Sequence, residues 1–253
     1  MKAIVLAAGE GKRLRPYTLD RPKCLVEVAG RSLLDRQLEI LNIEGITDIT
    51  LVGGYRSEML RRPDCKLEIN AAYASTNMVA TLFSAESSLS GETIISYGDI
   101  VYSREILRKL IDSSSDVCVI IDTEWEQYWR ARIENPLDDA ETLRMSAKNQ
   151  ILEIGQRPTS ISEIEGQYIG LMKFSAEGTR MLKETFHRAE VSGSVRGVPI
   201  KSAYMTDLIQ LMIDEGVEVT AVKVSGNWVE IDTVEDLTAT ITRKRLLSIE
   251  LAR

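Results

Sequence analysis

The chain opens with residues 1–26, MKAIVLAAGEGKRLRPYTLDRPKCLV, and this stretch decides the fold. The apolar run Ala3–Leu6 has the composition of a buried strand and leads into a turn that contains Gly9 and Gly11. Small residues let backbone N–H groups come close to phosphate oxygens. Cationic side chains follow at Arg13, Arg15 and Lys23. The stretch therefore predicts a loop that holds a nucleoside triphosphate, with the cations neutralising the polyphosphate.

Two other phosphate-binding loops do not fit this pattern. A Walker loop needs glycine, four residues and then Gly-Lys-Ser/Thr, but Gly9 and Gly11 are too close and no Ser or Thr follows Lys12. A dinucleotide-binding loop needs a third glycine where this chain has Leu14. The remaining alternative is a plain turn with surface cations, because glycine is common after a strand.

The pattern L-A-A-G-x-G-x-R-L-x-P, with P-K-C-L at residues 22–25, closely resembles the signature of the sugar-1-phosphate and phosphocholine nucleotidyltransferases. The resemblance implies that the loop wraps the triphosphate, that Arg13 contacts it and that Lys23 stabilises the transition state. Arg13 and Lys23 are therefore the predicted catalytic residues. The predicted nucleotide-binding loop comprises Leu6, Ala7, Ala8, Gly9, Glu10, Gly11, Lys12 and Arg13.

Length, charge and cysteine content exclude several classes of protein. A chain of 253 residues can bury a core without disulfides, and we expect a single domain over residues 1–253. A formal net charge of −7 argues against nucleic acid or an anionic membrane as a partner. Three cysteines without C-x-x-C spacing and one histidine, His187, do not suit a zinc site. Without a long apolar run or a signal sequence, we expect a cytoplasmic protein.

Apolar runs alternate with helical patterns along the first half of the chain. The predicted strands are Ala3–Leu6, Ile49–Val52, Leu67–Asn70, Thr93–Ser96 and Val117–Ile121, followed later by Ile169–Phe174 and Val217–Val224. The predicted helices are Leu33–Leu41, Met78–Ala85, Arg104–Ile111, Ala176–Arg188, Tyr204–Glu215 and Val234–Leu251. The alternation predicts an α/β fold with a Rossmann-like mixed, mainly parallel sheet flanked by helices. Residues 122–168, rich in charge and aromatics, predict a small inserted acceptor-binding subdomain of short strands and loops.

Two later segments carry carboxylates in patterns that suit a metal ion. Asp99 follows the strand Thr93–Ser96 through Gly98, which permits a tight exit from the sheet. Glu230 and Asp232 lie two residues apart, so they share a face of an extended segment. Mg²⁺ prefers oxygen ligands, commonly one or two carboxylates with phosphates. The resembled family carries a metal-binding Asp at the position of Asp99, so the predicted cofactor is Mg²⁺, held by Asp99, Glu230 and Asp232.

The same carboxylates have simpler interpretations. A Gly-Asp pair is more often a turn than a ligand, and Asp232 or Thr233 could cap the helix that follows. Glu235 and Asp236 would then favour the helix dipole from its first turn. The sequence W-V-E-I-D at residues 228–232 departs from the W-x-D-x-G of sugar-nucleotide enzymes. It is similar instead to the cytidylyltransferase branch of the family, which handles phosphocholine and related compounds.

A polar segment that begins at Tyr73 precedes the helix predicted from Met78. The phosphocholine cytidylyltransferases have a similar Tyr…Thr-Asn segment, which implies that this one lies near the base and that Asn77 could read the base edge. Ser75, Thr76 or Asn77 could instead only cap the helix. The predicted nucleotide-binding residues therefore also include Tyr73, Thr76, Asn77 and Gly98.

Trp125 and Trp129 stand four residues apart among charged neighbours, which places both on one face if the segment is helical. Aromatic faces with nearby carboxylates bind ammonium groups well. The segment therefore predicts a pocket for an acceptor that carries an amine, with Tyr168 and Asp139 in the same wall. Asp207 resembles an acidic position of the same family, which implies that it also binds the acceptor. The alternatives are an amphipathic segment folded over the sheet and, for Asp207, a helix cap.

The sequence and the resemblance together predict a Mg²⁺-dependent nucleotidyltransferase, most closely a cytidylyltransferase that uses CTP. It would transfer CMP to a small phosphomonoester or phosphonate and release pyrophosphate. Phosphocholine, 2-aminoethylphosphonate, a phosphorylated amino acid and a sugar phosphate all fit as acceptors. The alternatives are a sugar-1-phosphate nucleotidyltransferase using UTP, GTP or dTTP, an inactive nucleotide-binding regulator, and a general α/β binding module. Relatives that are often dimers also raise the prospect of a homodimer.

Overall fold

The computed structural model describes residues 1–251. The strands are β1 (Lys2–Ala7), β2 (Glu27–Val28), β3 (Arg31–Ser32), β4 (Ile49–Gly53), β5 (Cys65–Ile69), β6 (Thr93–Tyr97), β7 (Ile100–Tyr102), β8 (Val117–Asp122), β9 (Leu143–Met145), β10 (Ile151–Ile154), β11 (Gln167–Phe174), β12 (Ser194–Val195), β13 (Val198–Pro199), β14 (Val219–Val224) and β15 (Trp228–Glu230). The α-helices are α1 (Leu33–Ile43), α2 (Met78–Phe83), α3 (Arg104–Asp112), α4 (Trp125–Arg132), α5 (Ala176–Ser192), α6 (Met205–Asp214), α7 (Val234–Thr238) and α8 (Thr240–Leu251).

Within residues 1–251, a seven-stranded sheet has the order β14-β8-β11-β6-β1-β4-β5. β1 is parallel to both of its neighbours, β4 and β6. β5 is parallel to β4, and β14 is parallel to β8. β11 is antiparallel to β6 and to β8. The prediction of a mixed, mainly parallel sheet is therefore confirmed.

Helices cover both faces of this sheet, which explains why β1 is apolar along its whole length. Ala3 and Val5 lie in a core with side chains of α1 and α3. Ile4 and Leu6 point to the other face and lie in a core with side chains of α2, α5 and α6. Burial on both faces leaves the ends of β1 as its contact with solvent, so the loop after β1 is where function can be placed.

A separate antiparallel pair, β7 and β15, lies beyond the main sheet. Val101 and Val229 of this pair belong to a third core, which Leu246 and Ile249 of α8 complete. This pair joins the segment after β6 to the segment near the end of the chain. It therefore brings residues near Ile100 and residues near Glu230 together in space.

Two predictions of secondary structure need correction. Residues 122–168 contain the regular helix α4 as well as short strands and loops, and the β9–β10 hairpin reaches the sheet through a bridge between Gln150 and Thr220. The closing helix expected over Val234–Leu251 is two helices, α7 and α8, because Ala239 between them is not helical, with ψ 133°. No helix within residues 1–251 combines the length and the apolar character that crossing a membrane requires.

Candidate active site

A cleft of about 470 Å³ opens where β1 and β6 end. Ligands of open α/β sheets bind at this edge, beyond the carboxyl ends of the strands. Its lining includes every residue predicted to bind nucleotide or metal, together with Lys23: Leu6, Ala7, Ala8, Gly9, Glu10, Gly11, Lys12, Arg13, Tyr73, Thr76, Asn77, Gly98, Asp99, Glu230 and Asp232. Residues widely separated in the chain therefore meet in one site.

The loop after β1 packs directly against the predicted catalytic lysine. Gly11 has a φ of +61°, and a Cβ at this position would lie 3.0 Å from the Cβ of Lys23. Thr18, which is fully buried, donates a hydrogen bond from Oγ1 to the Gly11 carbonyl at 2.8 Å. Glycine is thus required both for the left-handed backbone and for the close passage of Lys23.

The turn Tyr97–Ile100, which presents Asp99, is held from two sides. The Gly98 N–H donates to the Leu6 carbonyl at 2.9 Å, and a Cβ at Gly98 would lie 2.8 Å from the same oxygen. From α1, the buried Gln37 donates through Nε2 to the first and last carbonyls of the turn, at 2.9 and 2.7 Å. The turn is therefore fixed before any ligand arrives.

Pairing of β7 with β15 brings the second acidic segment to Asp99. Glu230 lies opposite Ile100 in this pair. Beyond it, the Ile231 N–H donates to the Asp99 carbonyl at 3.0 Å. The carboxylates of Glu230 and Asp232 thus reach the cleft through backbone hydrogen bonds to the turn after β6.

The helix that follows is capped by Thr233. Its Oγ1 accepts from the Asp236 N–H at 3.3 Å, and the Asp236 carboxylate accepts from the Thr233 N–H at 2.8 Å, which forms a capping box. The alternative in which Asp232 caps this helix is therefore wrong. Asp232 lines the cleft instead.

Lys23 lies between two of the carboxylates. Its Nζ is 2.7 Å from Asp99 Oδ2 and 2.6 Å from Asp232 Oδ1, and its side chain is 14% exposed. Burial alone would lower the pKa of this ammonium group, but the two carboxylates outweigh burial and hold its pKa above the usual value. Arg13, largely exposed, pairs with the other oxygen of Asp232. Lys23 is therefore a permanent cation in the floor of the cleft.

Glu230 is held by a different cation. Its Oε2 lies 3.0 Å from Arg132 at the end of α4. Burial raises the pKa of the Glu230 carboxyl; Asp99 and Asp232 raise it further, while Arg132 and Lys23 act in the opposite direction. The pKa is therefore raised mainly because the Glu230 carboxyl is removed from water.

The donor set suits a hard cation, although the site is not assembled as a metal cage. Asp99 Oδ1 is buried and makes no hydrogen bond, so one carboxylate oxygen lacks a partner. Within residues 1–251, no three His, Cys, Asp or Glu side chains form a ready-made metal site. Mg²⁺ commonly uses one or two carboxylates and takes its remaining oxygens from phosphates and water. Asp99 and Asp232 supply two carboxylates in the cleft, which fits that requirement.

The segment after β5 forms another wall of the cleft. Asn77 caps α2, because its side-chain oxygen accepts from the Met78 N–H at 2.9 Å, and its amide donates to the Ser202 carbonyl at 3.3 Å. Thr76 accepts from the buried Asn70 at 2.9 Å. The capping alternative therefore holds for Asn77, while contact of Tyr73, Thr76 and Asn77 with a base stays a prediction.

The expected aromatic wall for the acceptor needs correction. Trp125 and Trp129 are 3% and 4% exposed, belong to the core, and do not line the cleft. Trp129 packs against Trp228 at 6.1 Å between ring centroids and donates from Nε1 to Asp139 at 3.0 Å. The polar neighbours lie on the outer side of α4, as in an amphipathic helix, so the indole faces are not open to a ligand.

The other residues predicted to bind the acceptor, Tyr168 and Asp207, make contacts within the protein. Tyr168 packs edge-on against Tyr97, a residue of the cleft lining, with 5.7 Å between ring centroids. Asp207 caps α6 by accepting from the Tyr204 N–H at 2.8 Å, as the alternative proposed. Next to them, burial raises the pKa of Glu141 to about 7, and Asp207 adds to the shift. Contact of Tyr168, Asp139 or Asp207 with an acceptor stays a prediction.

Three polar residues of the site, Gln37, Arg132 and Glu141, escape prediction from sequence, and Asp236 is expected only in the first turn of the last helix. Arg132 continues the helical spacing of Trp125 and Trp129, and this stripe is a signal that could have marked it as inward-facing. The T-x-x-D pattern of a capping box could have marked Asp236. Gln37 and Glu141 have no local signal, because their partners are distant in the chain.

The profile of the MobA-like NTP transferase domain matches residues 3–157. The chain belongs to this family. A CTP:phosphoglutamine cytidylyltransferase from Campylobacter jejuni subsp. jejuni serotype O:2 is 37% identical over 254 residues, which cover 96% of this chain and 100% of that protein. The predictions of a nucleotidyltransferase and, within that class, a cytidylyltransferase are thereby confirmed.

Solved structures show the same fold. The inositol-1-phosphate CTP transferase from T. maritima aligns with a TM-score of 0.76 and 21% identity, over 98% of this chain and 96% of that one. The CTP:phosphocholine cytidylyltransferase from Streptococcus pneumoniae aligns with a TM-score of 0.74 and 23% identity, over 96% and 98%. The predicted fold class is confirmed. The single-domain boundary, the homodimer and the cytoplasmic location stay predictions.

Proposed function

We propose that this member of the MobA-like NTP transferase family transfers CMP from CTP to a small phosphorylated acceptor. A phosphate or phosphonate oxygen of the acceptor attacks the α-phosphorus. A P–O bond forms there, the bond to the bridging oxygen breaks, and pyrophosphate leaves with that electron pair. No covalent enzyme intermediate is needed, because the reaction requires positioning and neutralisation of charge.

One observation carries this proposal: Lys23 lies between Asp99 and Asp232 on the floor of a cleft that the glycine loop borders. The two carboxylates orient the lysine without closing the loop side of the cleft. A triphosphate bound by the loop would place its α-phosphate near Lys23, which neutralises charge that grows in the transition state. Arg13, exposed at the rim, holds the β- and γ-phosphates.

Nucleotidyltransferases generally depend on a divalent metal ion. We propose that Asp99 and Asp232 hold Mg²⁺ here, with Glu230 beside them. When bound, Mg²⁺ polarises the α-phosphate and supplies positive charge that the pyrophosphate group needs on leaving. The unpartnered Asp99 Oδ1 supports this assignment, since a buried carboxylate oxygen without a donor is costly.

We further propose that the acceptor carries an amino group, as a phosphorylated amino acid does. The C. jejuni relative is named for phosphoglutamine. In this chain, burial raises the pKa of Glu141 to about 7, and Asp207, Asp139 and Glu230 all add to that shift. A group of carboxylates that disfavours its own ionisation favours an ammonium group nearby.

Pyrophosphate release tests these assignments. The assay combines Mg²⁺, each of the four NTPs, and a panel of phosphoglutamine, phosphoserine, phosphocholine, 2-aminoethylphosphonate and glucose 1-phosphate. We expect turnover with CTP and an amine-bearing acceptor. Turnover only with UTP and glucose 1-phosphate would instead support the alternative of a sugar-1-phosphate nucleotidyltransferase. Nucleotide binding without release for any pair would favour the inactive regulator.

A further inference from the structure

Arg132 is more completely buried than Lys23, and the reaction proposed above gives it no role. Its side chain is 3% exposed at the end of α4. The guanidinium lies 4.9 Å from the ring centroid of Tyr128 and 5.6 Å from that of Trp129. A cation held against aromatic faces and removed from water needs anionic partners to be tolerated.

Both anionic partners of Arg132 belong to residues 230–236, called here the acidic segment. Arg132 donates to Glu230 Oε2 at 3.0 Å and makes two hydrogen bonds to Asp236, at 2.7 and 3.1 Å. Asp236 is itself buried, with 3% exposure. Its Oδ2 also accepts from the Asp232 N–H at 2.9 Å. The guanidinium therefore holds the side chain of Glu230 by a direct hydrogen bond, and it holds the backbone of Asp232 indirectly, through the Asp236 carboxylate.

The neighbouring Tyr128 adds a second link from the same helix. Its hydroxyl donates to the Glu230 carbonyl at 3.3 Å and accepts from the Glu230 N–H at 3.1 Å. β15 ends at Glu230, so residues 231 and 232 have left the strand ladder. The planar fork of Arg132 and the Tyr128 hydroxyl thus add to the pairing of β15 with β7 and to the hydrogen bond from the Ile231 N–H to the Asp99 carbonyl in holding this segment.

We propose that Arg132 is a positioning residue for the metal carboxylates, and that α4 braces the acidic segment. The inference rests on the proposed function, because it assumes that Asp232 and Glu230 serve a metal–nucleotide complex. Arg132 does not line the cleft and does not touch the substrate. It acts by fixing where Glu230 and Asp232 stand. Partners of metal ligands typically change metal affinity or activity by about 10- to 100-fold when they are removed.

The test compares Arg132→Met and Arg132→Lys with a matched control, Arg130→Met. Arg130 belongs to the same helix, is exposed, and pairs only along the helix with Glu126 among the described residues. Two quantities are measured: the Mg²⁺ concentration for half-maximal turnover at saturating CTP, and Mn²⁺ affinity of the enzyme–CTP complex by electron paramagnetic resonance. Circular dichroism reports the fold.

Arg132→Met should raise the Mg²⁺ requirement and weaken Mn²⁺ binding by about 10-fold or more. Excess Mg²⁺ should restore much of kcat. Arg132→Lys keeps the charge but loses the planar, forked guanidinium, so its Mg²⁺ requirement should lie between those of wild type and Arg132→Met. Arg130→Met should behave as wild type. A folded Arg132→Met with wild-type metal dependence would overturn the proposal, since a purely structural ion pair changes melting temperature alone.

Two further variants keep the inference testable if Arg132→Met does not fold. Tyr128→Phe removes only the hydroxyl link and should raise the Mg²⁺ requirement by about 3-fold, while Asp236→Asn should exceed that effect. A wild-type Mg²⁺ requirement in both variants would refute the proposal that α4 positions the acidic segment. Failure of the proposed function is distinguishable, because wild type would then release no pyrophosphate while the Mn²⁺–CTP measurement still separates Arg132→Met from Arg130→Met.

Discussion

Replacing Lys23 with methionine is the sharpest test of the proposed chemistry. Methionine keeps the length and the apolar stem of the side chain but removes the charge that lies 2.6 and 2.7 Å from two carboxylates. At an effective dielectric constant of about 20, unit charges about 4 Å apart interact by about 4 kcal/mol. Lys23 already attracts the α-phosphate of bound CTP in the ground state. Only the additional attraction that develops in the transition state lowers the barrier.

We expect a differential loss of about 2.7–4 kcal/mol, which is a fall of about 10²- to 10³-fold in kcat. KM for CTP should change much less, because Arg13 and the loop retain their contacts. The assay is steady-state pyrophosphate release, with calorimetry for CTP affinity and circular dichroism for the fold.

Lys66→Met is the matched control for this variant. Lys66 belongs to β5, does not line the cleft, and pairs with Asp48 at 2.8 Å, and its side chain is 60% exposed. We expect its kcat to stay within about 5-fold of wild type, since an exposed pair contributes little. A folded Lys23→Met with a kcat within tenfold of wild type would refute the assignment of Lys23 to the transition state.

Three further predictions concern metal, pH and packing. Asp99→Asn should abolish Mg²⁺-dependent turnover, as EDTA should in wild type; a variant that keeps turnover would point to other ligands. Burial raises the folded-state pKa of Glu141 from 4.5 to about 7, so the folded state loses stability as pH rises through that interval. Glu141→Gln should therefore stabilise the protein at pH 8 by about 1–2 kcal/mol and little at pH 4.5, because partial exposure reduces the full effect; equal urea midpoints of the two proteins at pH 8 would contradict this. Gly178→Ala would overlap the Asp116 carbonyl oxygen and should cost about 3 kcal/mol or prevent folding, measured by the same urea transitions, whereas Gly193→Ala has open space but a φ of +75° and should cost only about 1 kcal/mol.

Predictions from local pattern succeed where the forces are local. The strands and helices that were predicted for the first half lie within two residues of their predicted bounds, because apolar runs and helical spacing report burial directly, whereas the short strands β2, β3 and β7 were not predicted. The break at Ala239 has no such signal, since residues 234–251 contain neither glycine nor proline. Leu237 of α7 and Leu246 and Ile249 of α8 all pack in the third core, and the position of the break that allows this is set by the tertiary structure.

The tryptophans of α4 show the opposite case. Composition alone suggests an exposed aromatic pocket, because Trp125 and Trp129 have charged neighbours. The helix turns those neighbours outward and buries both rings beneath the acidic segment. The direction in which a helix face points depends on what packs against it, which composition does not encode.

The amino-acid sequence by itself determined the α/β fold, the glycine loop and the residue types of the site, because each depends on contacts between near neighbours in the chain. Only the tertiary structure decided that Glu230 stands opposite Ile100, that Lys23 lies between Asp99 and Asp232, and that Arg132 grips the acidic segment. These contacts join residues 76 to 209 positions apart in the chain. Their partners are chosen by burial and by pairing of unsatisfied polar groups, which act only once the chain has folded.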